Sequence, residues 1–286
     1  TTLNLGIDHP IAVKSTYNLG LILEKLGQWD KAEEIFLNVA FRIEQKFDQT
    51  HQLYIYSMFN LAKLKMRKRD IPSAIELTTK LIYSSKQQLT SIFPALSQSE
   101  KYRLMRIFDG LFELANTVVR TAQNSTNRQL YEWVLFRKGL VLSVTGNLNT
   151  FLAEKGDAAL SELFVEWKNL VYKINQHQNI SQKQRLNGDI LHLSEEAEQF
   201  EKRFNQLSSS IPGFLLVPEY SWDDVVENLV EGEILIDFVK YYDLQDGDLK
   251  RDNYRYGAYV ARRKTENPSF VDLVDGMDFE KSILID

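Results

Sequence analysis

Cysteine is absent from this chain of 286 residues. Its absence excludes disulfide bonds, zinc sites with cysteine ligands and a cysteine nucleophile within the sequence. A chain without cysteine also fits a reducing compartment, so we expect a cytoplasmic protein.

Long uncharged apolar runs are also missing, since no window approaches the roughly eighteen residues that a membrane-spanning helix needs. The net charge of -5 gives no long-range attraction for nucleic acid or for an anionic membrane. The first residues, TTLNLG, contain neither an initiator Met nor the basic and apolar segments of a signal peptide. We therefore expect an internal or processed segment of a soluble globular protein, with no membrane partner and no direct nucleic-acid binding.

An internal repeat of 42 residues organises the first part of the chain. The shift aligns residues 17–20 (YNLG) with residues 59–62 (FNLA), and Ala32 with Ala74. Apolar residues recur at three- and four-residue steps on both sides of residues 27–29 (GQW), which predicts two helices joined by a short bend. Each repeat is therefore predicted to be a helical hairpin.

The stretch YNLGLILEKLGQWDKAEEIF, residues 17–36, resembles the tetratricopeptide (TPR) pattern. The 42-residue period and the linker NLGIDHPIAV are similar to the kinesin-light-chain type of TPR. Arg69 and Ile71 replace Gly27 and Trp29 in the second copy. The resemblance implies TPR repeats over residues 1–83, and we expect further repeats ahead of residue 1, because a solenoid needs about three units. The matching offsets in the first copy are Leu19, Gly20, Gly27, Trp29, Ala32 and Phe36.

Residues 84–210 predict further helices. Ser97 to Glu100 fit a capping box, and apolar residues with helical spacing continue to Val118. A second helix is predicted over residues 128–144. Apolar stripes over residues 160–174 and 186–207 predict a long antiparallel helical hairpin with coiled-coil-like packing.

Three apolar or alternating runs, at residues 234–239, 254–261 and 270–274, predict strands, the first two joined as a β-hairpin. The order SWDDVVENLVEGEILIDFVKYY, RYGAYVARR, SFVDLVDG resembles the beginning of the CHAT domain, a caspase-like protease domain associated with TPRs. The upstream LYEWVLFRKG and the paired long helices are similar to the segment that joins TPRs to CHAT domains. Residues 211–286 are thereby expected to be an incomplete start of an α/β caspase-like domain that follows a mostly α region.

The family resemblance also implies a function. CHAT proteases resemble caspases and use a histidine and a cysteine, but no position of this chain matches that pair. The histidines are His9, His51, His177 and His192, all in helical or linker contexts. We expect a non-catalytic chain without metal or cofactor: the protein-binding, regulatory part of a TPR-CHAT cysteine peptidase. Its partners would be the remainder of the caspase-like domain and, as for some prokaryotic defence and regulated cell-death effectors, a CRISPR-type complex.

The resemblance to TPRs implies a peptide-binding groove, because the first helix of each repeat lines a concave surface. Rings would supply contact area to a protein or peptide ligand, and cations would meet acidic side chains. The other interpretation is that Tyr17, Leu21 and Phe59 pack against neighbouring helices. Glu24 and Met66 also lie at the matching offsets. The groove residues predicted to bind the peptide are Lys14, Tyr17, Leu21, Lys25, Tyr56, Phe59, Lys63 and Arg67.

Two further patterns predict structural roles. His9 and His51 occupy equivalent repeat positions and are expected to start helices rather than to bind metal. The aspartates between Asp237 and Asp248 lack the twelve-residue pattern of a calcium loop and predict a polar hairpin turn. The alternative to the TPR-CHAT hypothesis is a stand-alone TPR adaptor or scaffold with a small C-terminal α+β cap.

Overall fold

A computed structural model of the chain describes residues 9–93, 96–122, 128–140, 162–163, 165–170, 172–173, 189–208, 220–244, 254–276, 278 and 280. The predicted fold class is confirmed at its coarse level: the described part is mostly helical and ends in a small antiparallel sheet of three strands. The bend of the long helical hairpin, the end of the helix predicted over 128–144, His177, Asp246 and Asp248 all lie outside the described residues.

Most elements follow one another in the order that the hydrophobic spacing predicts, but the helix at Trp222–Asn228 was not predicted. Short helical stretches also occur within residues 162–173. The helices are α1 (Pro10–Lys25), α2 (Trp29–Lys46), α3 (Gln52–Arg67), α4 (Ile71–Ile92), α5 (Gln98–Ile107), α6 (Asp109–Thr121), α7 (described over 128–140), α8 (Asp189–Ser208) and α9 (Trp222–Asn228), and the strands are β1 (Ile234–Tyr242), β2 (Tyr254–Arg262) and β3 (Ser269–Asp275).

The two helical hairpins at the start of the chain begin and turn in the same way. His9 and His51 are the N-caps of α1 and α3, and the Nδ1 atom of each accepts a hydrogen bond from the backbone N–H two residues on, at 3.2 and 3.1 Å. Both histidines therefore have the helix-start role that the sequence predicts. Gly27 and Arg69 follow the ends of the same helices with φ of +72° and +59°. The second bend thus holds an arginine in the conformation that favours glycine.

The close packing of α1 against α2 depends on Gly20. A Cβ atom at this position would lie 2.7 Å from Cε1 of Phe36, which is too close for any side chain. In the second repeat Ala62 and Thr78 occupy the equivalent positions, and both are fully buried. The second repeat therefore has a larger residue where the first has glycine, and a smaller one where the first has the phenyl ring.

The chain divides into two compact units, each made of segments that are not contiguous in sequence. The first unit contains Thr1–Gln88, Phe108–Leu135 and Tyr220–Asp286, and the second contains Leu89–Ile107 and Phe136–Glu219. The repeat helices and the sheet thus belong to the same unit. The domain boundaries near residues 83 and 210 remain sequence-based predictions.

The sheet has the order β1-β2-β3, and both pairs are antiparallel. β1 pairs with β2 without interruption from Ile234 opposite Arg262 to Tyr242 opposite Tyr254, as the predicted hairpin requires. The register of β2 with β3 shifts at Gly257. A Cβ atom there would lie 2.4 Å from Cζ of Phe270, so this ring packs directly on the glycine backbone.

One face of the sheet packs against α6 through polar side chains. The carboxylate of Glu113 accepts a hydrogen bond from the N–H of Tyr242, and the hydroxyl of Thr117 accepts one from the N–H of Leu244 at 3.1 Å. Arg120 pairs with the buried Asp243 at 2.7 Å. Three side chains on one stripe of α6 thus hold the backbone and side chains at the end of β1.

The same face is completed by α7 and α9. Trp222, almost fully buried, donates its backbone N–H to Glu132 at 2.9 Å and its indole N–H to the carbonyl of Thr265 at 3.1 Å. The hydroxyl of Tyr131 donates to Asp237 at 3.3 Å. Two of the aspartates in the rejected calcium pattern, Asp237 and Asp243, therefore bind side chains of neighbouring helices.

The opposite face of the sheet, which we call the open sheet face, is apolar and uncovered in the described structure. Its exposed side chains are between 43% and 65% accessible, although strands usually bury such residues. Lys240 lies at one end of this face, where Glu280 pairs with it at 3.0 Å. The apolar members of the open sheet face are Ile234, Ile236, Phe238, Val271 and Leu273.

Glu280 also accepts hydrogen bonds from the hydroxyls of Tyr254 and Tyr256, at 2.6 and 2.9 Å. These bonds, with the one from Lys240, lower the pKa of Glu280 to about 2. The bond to the carboxylate in turn raises the pKa of Tyr254 to about 12. The start of the helical turn after β3 is thereby attached to the open sheet face.

The sequence predicts one continuous helix from residue 98 to Val118, and this prediction is wrong at Phe108. α5 ends at Ile107 and α6 begins at Asp109. Phe108 is buried with its ring 6.5 Å from that of Trp133, in an edge-on contact that a helical pattern alone does not reveal.

In the second unit, the predicted capping box is present. The backbone N–H and hydroxyl of Ser97 both donate to Glu100, at 3.0 and 3.1 Å. Lys202 of α8 pairs with the same carboxylate at 2.8 Å, and Ser99 donates to Glu198. Among the described helices, none is long and apolar enough to cross a membrane.

Candidate functional site

A groove of about 830 Å³ lies along the first helices of the two repeats. α1 supplies one wall and α3 the other, because the 42-residue period places the same face of both helices side by side. We call this cavity the repeat groove. It is lined by Asn18, Leu21, Ile22, Glu24, Lys25, Gly27, Trp29, Asn60, Lys63 and Arg67.

A carboxylate and two cations form the centre of the repeat groove. Glu24 accepts from Lys63 at 3.2 Å and pairs with Arg67 at 3.1 Å, and all three side chains are largely buried. Lys63 also lies over the ring of Phe59, 5.7 Å from its centroid. The buried carboxylate thus pairs with both cations and satisfies part of their charge.

Asparagines occupy the same position in both walls. The side-chain amide of Asn60 donates to the hydroxyl of Tyr17 at 2.9 Å and to the carbonyl of Tyr56 at 3.0 Å. Asn18, the equivalent residue in the first repeat, is exposed to the groove. Its amide can therefore donate to and accept from a bound backbone.

The rim of the groove carries one cation and one indole ring. Lys25, in the last turn of α1, is exposed, and Trp29 is 40% exposed at the start of α2. Gly27 lies between them in the left-handed bend. An aromatic ring beside a lysine at an open rim offers both contact area and charge to a ligand.

The structure brings together four of the predicted groove residues, since Leu21, Lys25, Lys63 and Arg67 all line the cavity. The other four lie elsewhere on the same helices. Lys14 is exposed. Peptide binding by this set remains a prediction.

The aromatic members of the predicted set make contacts within the protein. The ring of Tyr17 lies 5.6 Å from that of Phe36 and 6.3 Å from that of Tyr56. Burial raises the pKa of Tyr17. Phe59 points to α6, where a Cβ atom on Gly110 would lie 3.2 Å from its ring. These contacts are those of the packing interpretation for Tyr17 and Phe59.

Asn18, Asn60 and Trp29 line the groove but were not predicted, whereas Glu24 lies at one of the matching offsets. The asparagines carried a signal, because each stands second in the aligned segments YNLG and FNLA. Glu24 shares its helix face with Leu21 and Lys25, and the period places residues 63–67 beside it. Trp29 comes two residues after the bend glycine, Gly27, and is indicated in the sequence only as part of the repeat pattern.

Outside the groove, Lys68 is a titratable residue with structural partners. Lys68 bridges Asp30 and Glu33 at 2.6 and 2.7 Å, which raises the pKa of Lys68 through these hydrogen bonds. In the described part of the chain no cluster of three or more metal-ligating side chains occurs.

Comparisons with protein-family models, with curated proteins and with solved structures found no match for this chain. The arguments for its function therefore come from the residues and geometry of the repeat groove and of the sheet. The groove offers cations, amides and an indole ring, which is the chemistry of non-covalent binding to a polypeptide.

Proposed function

We propose that this chain is a protein-binding unit that holds an extended, acidic segment of a partner polypeptide in the repeat groove. The observation that carries the proposal is the set of three cations, Lys25, Lys63 and Arg67, around one cavity with Glu24 as the single lining carboxylate. Asn18, which is exposed to the groove, supplies hydrogen bonds to a ligand backbone, and Trp29 supplies contact area at the rim.

The proposal extends to the family. The 42-residue helical hairpins support the TPR interpretation, and the antiparallel hairpin with an apolar open sheet face supports the start of a CHAT domain, whose further layers would cover that face. In this proposal the chain is the non-catalytic, regulatory part of a caspase-like cysteine peptidase in the cytoplasm. A role in prokaryotic defence or regulated cell death, with a CRISPR-type complex as partner, rests on the family resemblance alone.

A second candidate is a TPR adaptor whose sheet is a cap on the helical part. The observation that favours it is the packing of the sheet on α6, α7 and α9 within the same compact unit as the repeats. The two candidates differ in the coding sequence after Asp286. Further strands with a histidine and a later cysteine would support the protease parent, and an immediate stop codon would support the adaptor.

The groove is tested with a fluorescent peptide rich in Asp and Glu, whose binding to the whole chain is followed by anisotropy. Lys25→Glu should weaken binding about tenfold, because a cation that faces the cavity is replaced by a carboxylate, which repels the carboxylates of the peptide. Lys25 is a sharper choice than Arg67, whose reversal would place two carboxylates together at Glu24.

Lys80→Glu is the matched control, since it makes the same charge change at an exposed site of α4. It should leave the affinity within about twofold, because long-range attraction is screened over about a Debye length. Equal losses of affinity in both variants would show that the effect comes from net charge alone. Unchanged affinity in Lys25→Glu would refute the groove as the binding site.

A further inference from the structure

The internal repeat places two equivalent helix surfaces in one chain, and among the residues that the structure describes only one of these surfaces is covered. Leu61 and Leu64 of α3 are 1% and 0% exposed. Their equivalents 42 residues earlier, Leu19 and Ile22 of α1, are 46% and 55% exposed. We call this second surface the α1 outer face; it consists of Ile11, Ser15, Leu19, Ile22 and Leu26.

The structure shows what covers such a surface, because α2 packs directly against α3. Glu33 lies on the side of α2 that meets α3, where it pairs with Lys65 at 2.8 Å and with Lys68 at 2.7 Å. The equivalent face on α3 is thus covered by α2, an amphipathic helix that forms the second half of the first helical hairpin.

The chemistry of the α1 outer face differs from its equivalent in one respect. Leu23 and Leu26 stand where α3 has Lys65 and Lys68. An occupant of α1 therefore needs apolar residues where α2 has acidic ones. Asn18 is equivalent to Asn60, whose amide donates to the hydroxyl of Tyr17 in the preceding repeat. A hydroxyl at the corresponding position of the occupant would satisfy Asn18.

We propose that the α1 outer face binds one more helical hairpin of the same 42-residue kind, stacked on α1 as the first repeat is stacked on α3. The second helix of the occupant presents an apolar stripe without the acidic residues of α2. A second copy of this chain does not offer α2 for this role, because α2 is already packed on α3 and carries the acidic Glu33. Ile22 and Asn18 also line the repeat groove, so the added hairpin would border that groove.

The test inserts a second copy of residues 9–50, carrying Asp30→Leu and Glu33→Leu in that copy, between Asp8 and His9 of the whole chain, which continues the 42-residue register and supplies the apolar stripe that Leu23 and Leu26 require. The added hairpin should raise the midpoint of thermal unfolding by about 5 °C, because it buries the α1 outer face. In the chain without the insertion, Ile22→Glu should shift the midpoint by less than about 2 °C, since the residue is exposed. In the extended chain the same substitution, made in the original copy, should lower it by about 10 °C, because the charge is buried.

Leu37→Glu is the control, because Leu37 is 52% exposed on α2 and outside the α1 outer face. Leu37→Glu should shift the midpoint of thermal unfolding by the same amount in both chains. The proposal is overturned if the extension leaves the midpoint unchanged and Ile22→Glu is equally mild in both chains. It is also overturned if sedimentation shows that the unextended chain dimerises and that Ile22→Glu abolishes the dimer, because the occupant is then a second copy.

Discussion

Glu24→Gln should strengthen the binding of an acidic peptide while it weakens the fold. Glu24 occupies the position between Lys63 and Arg67 that a ligand carboxylate would seek, so it competes with the ligand for both cations. Glutamine keeps the size of the side chain and an oxygen acceptor but removes the negative charge. The two effects therefore have opposite signs in one variant.

The magnitudes follow from the distances. A ligand carboxylate on the far side of either cation, at an ordinary ion-pair distance, would lie about 6 Å from the Glu24 carboxylate. Their repulsion is roughly 0.7 kcal/mol at the dielectric constant of water and about 3 kcal/mol at an effective value of 20. Removing it should raise the affinity about 3- to 100-fold. The lost ion pairs should lower the free energy of unfolding by about 1 to 3 kcal/mol.

Anisotropy with the same acidic peptide measures the first effect, and denaturant unfolding of the free protein measures the second. Glu76→Gln is the control, because Glu76 pairs with Lys80 on the surface of α4 and should change neither quantity by much. If Glu24→Gln remains folded and binds the peptide less tightly than the parent, the cations of the repeat groove do not bind the ligand carboxylate and the reasoning fails.

Two further predictions concern stability and titration. Arg69→Gly should raise the free energy of unfolding by about 0.5 to 1 kcal/mol, because Arg69 has a φ of +59°, which favours glycine. Gly27→Ala should lower the free energy of unfolding by about as much, because Gly27 has a φ of +72° and no atom within 4 Å would clash with the added methyl. The two variants should therefore shift the midpoint of thermal unfolding in opposite directions. The pKa of Glu280 is lowered to about 2, so its contacts stabilise the fold above pH 4.5 and this stabilisation is lost as the pH falls through 2. The pKa of Tyr254 is raised to about 12, so its contact stabilises the fold below pH 10 and this stabilisation is lost as the pH rises through 12. Glu280→Gln should therefore move one tyrosine titration, followed by tyrosinate absorbance, down toward pH 10; an unchanged titration curve would contradict the contact.

The repeat could be predicted from the sequence because its signals are local and occur twice. A histidine ahead of each first helix, a bend of fixed length and small residues at the helix crossing all fall at the same spacing, and the structure places His9 and His51 at equivalent caps. The strands were also predictable, because alternating residues on both sides of a polar bend specify a hairpin. The left-handed Arg69 is the exception: only its position in the period indicates it.

The contact between α6 and the sheet could not be predicted from the sequence. Thr117 and Leu244 are separated by 127 residues, and nothing local in either segment indicates the other. The apolar pattern of the sequence is continuous across Phe108 and gives no sign of the break between α5 and α6. The contact of the Phe108 ring with Trp133 is seen only in the structure. In the groove, the partners of Glu24 were likewise set by stacking of the repeats rather than by spacing along one helix.

The joint between α6 and β1 explains how the groove and the sheet can belong to one unit. Phe59, on the groove helix α3, packs on Gly110 at the start of α6, and Thr117 and Arg120 further along hold the end of β1. An apolar joint would tolerate sliding, whereas buried hydrogen bonds and an ion pair are satisfied in one register only. If a ligand displaced α3, the contacts of α6 with β1 would therefore either all remain or all break together. The sheet would then change its position on α6 in one step rather than gradually.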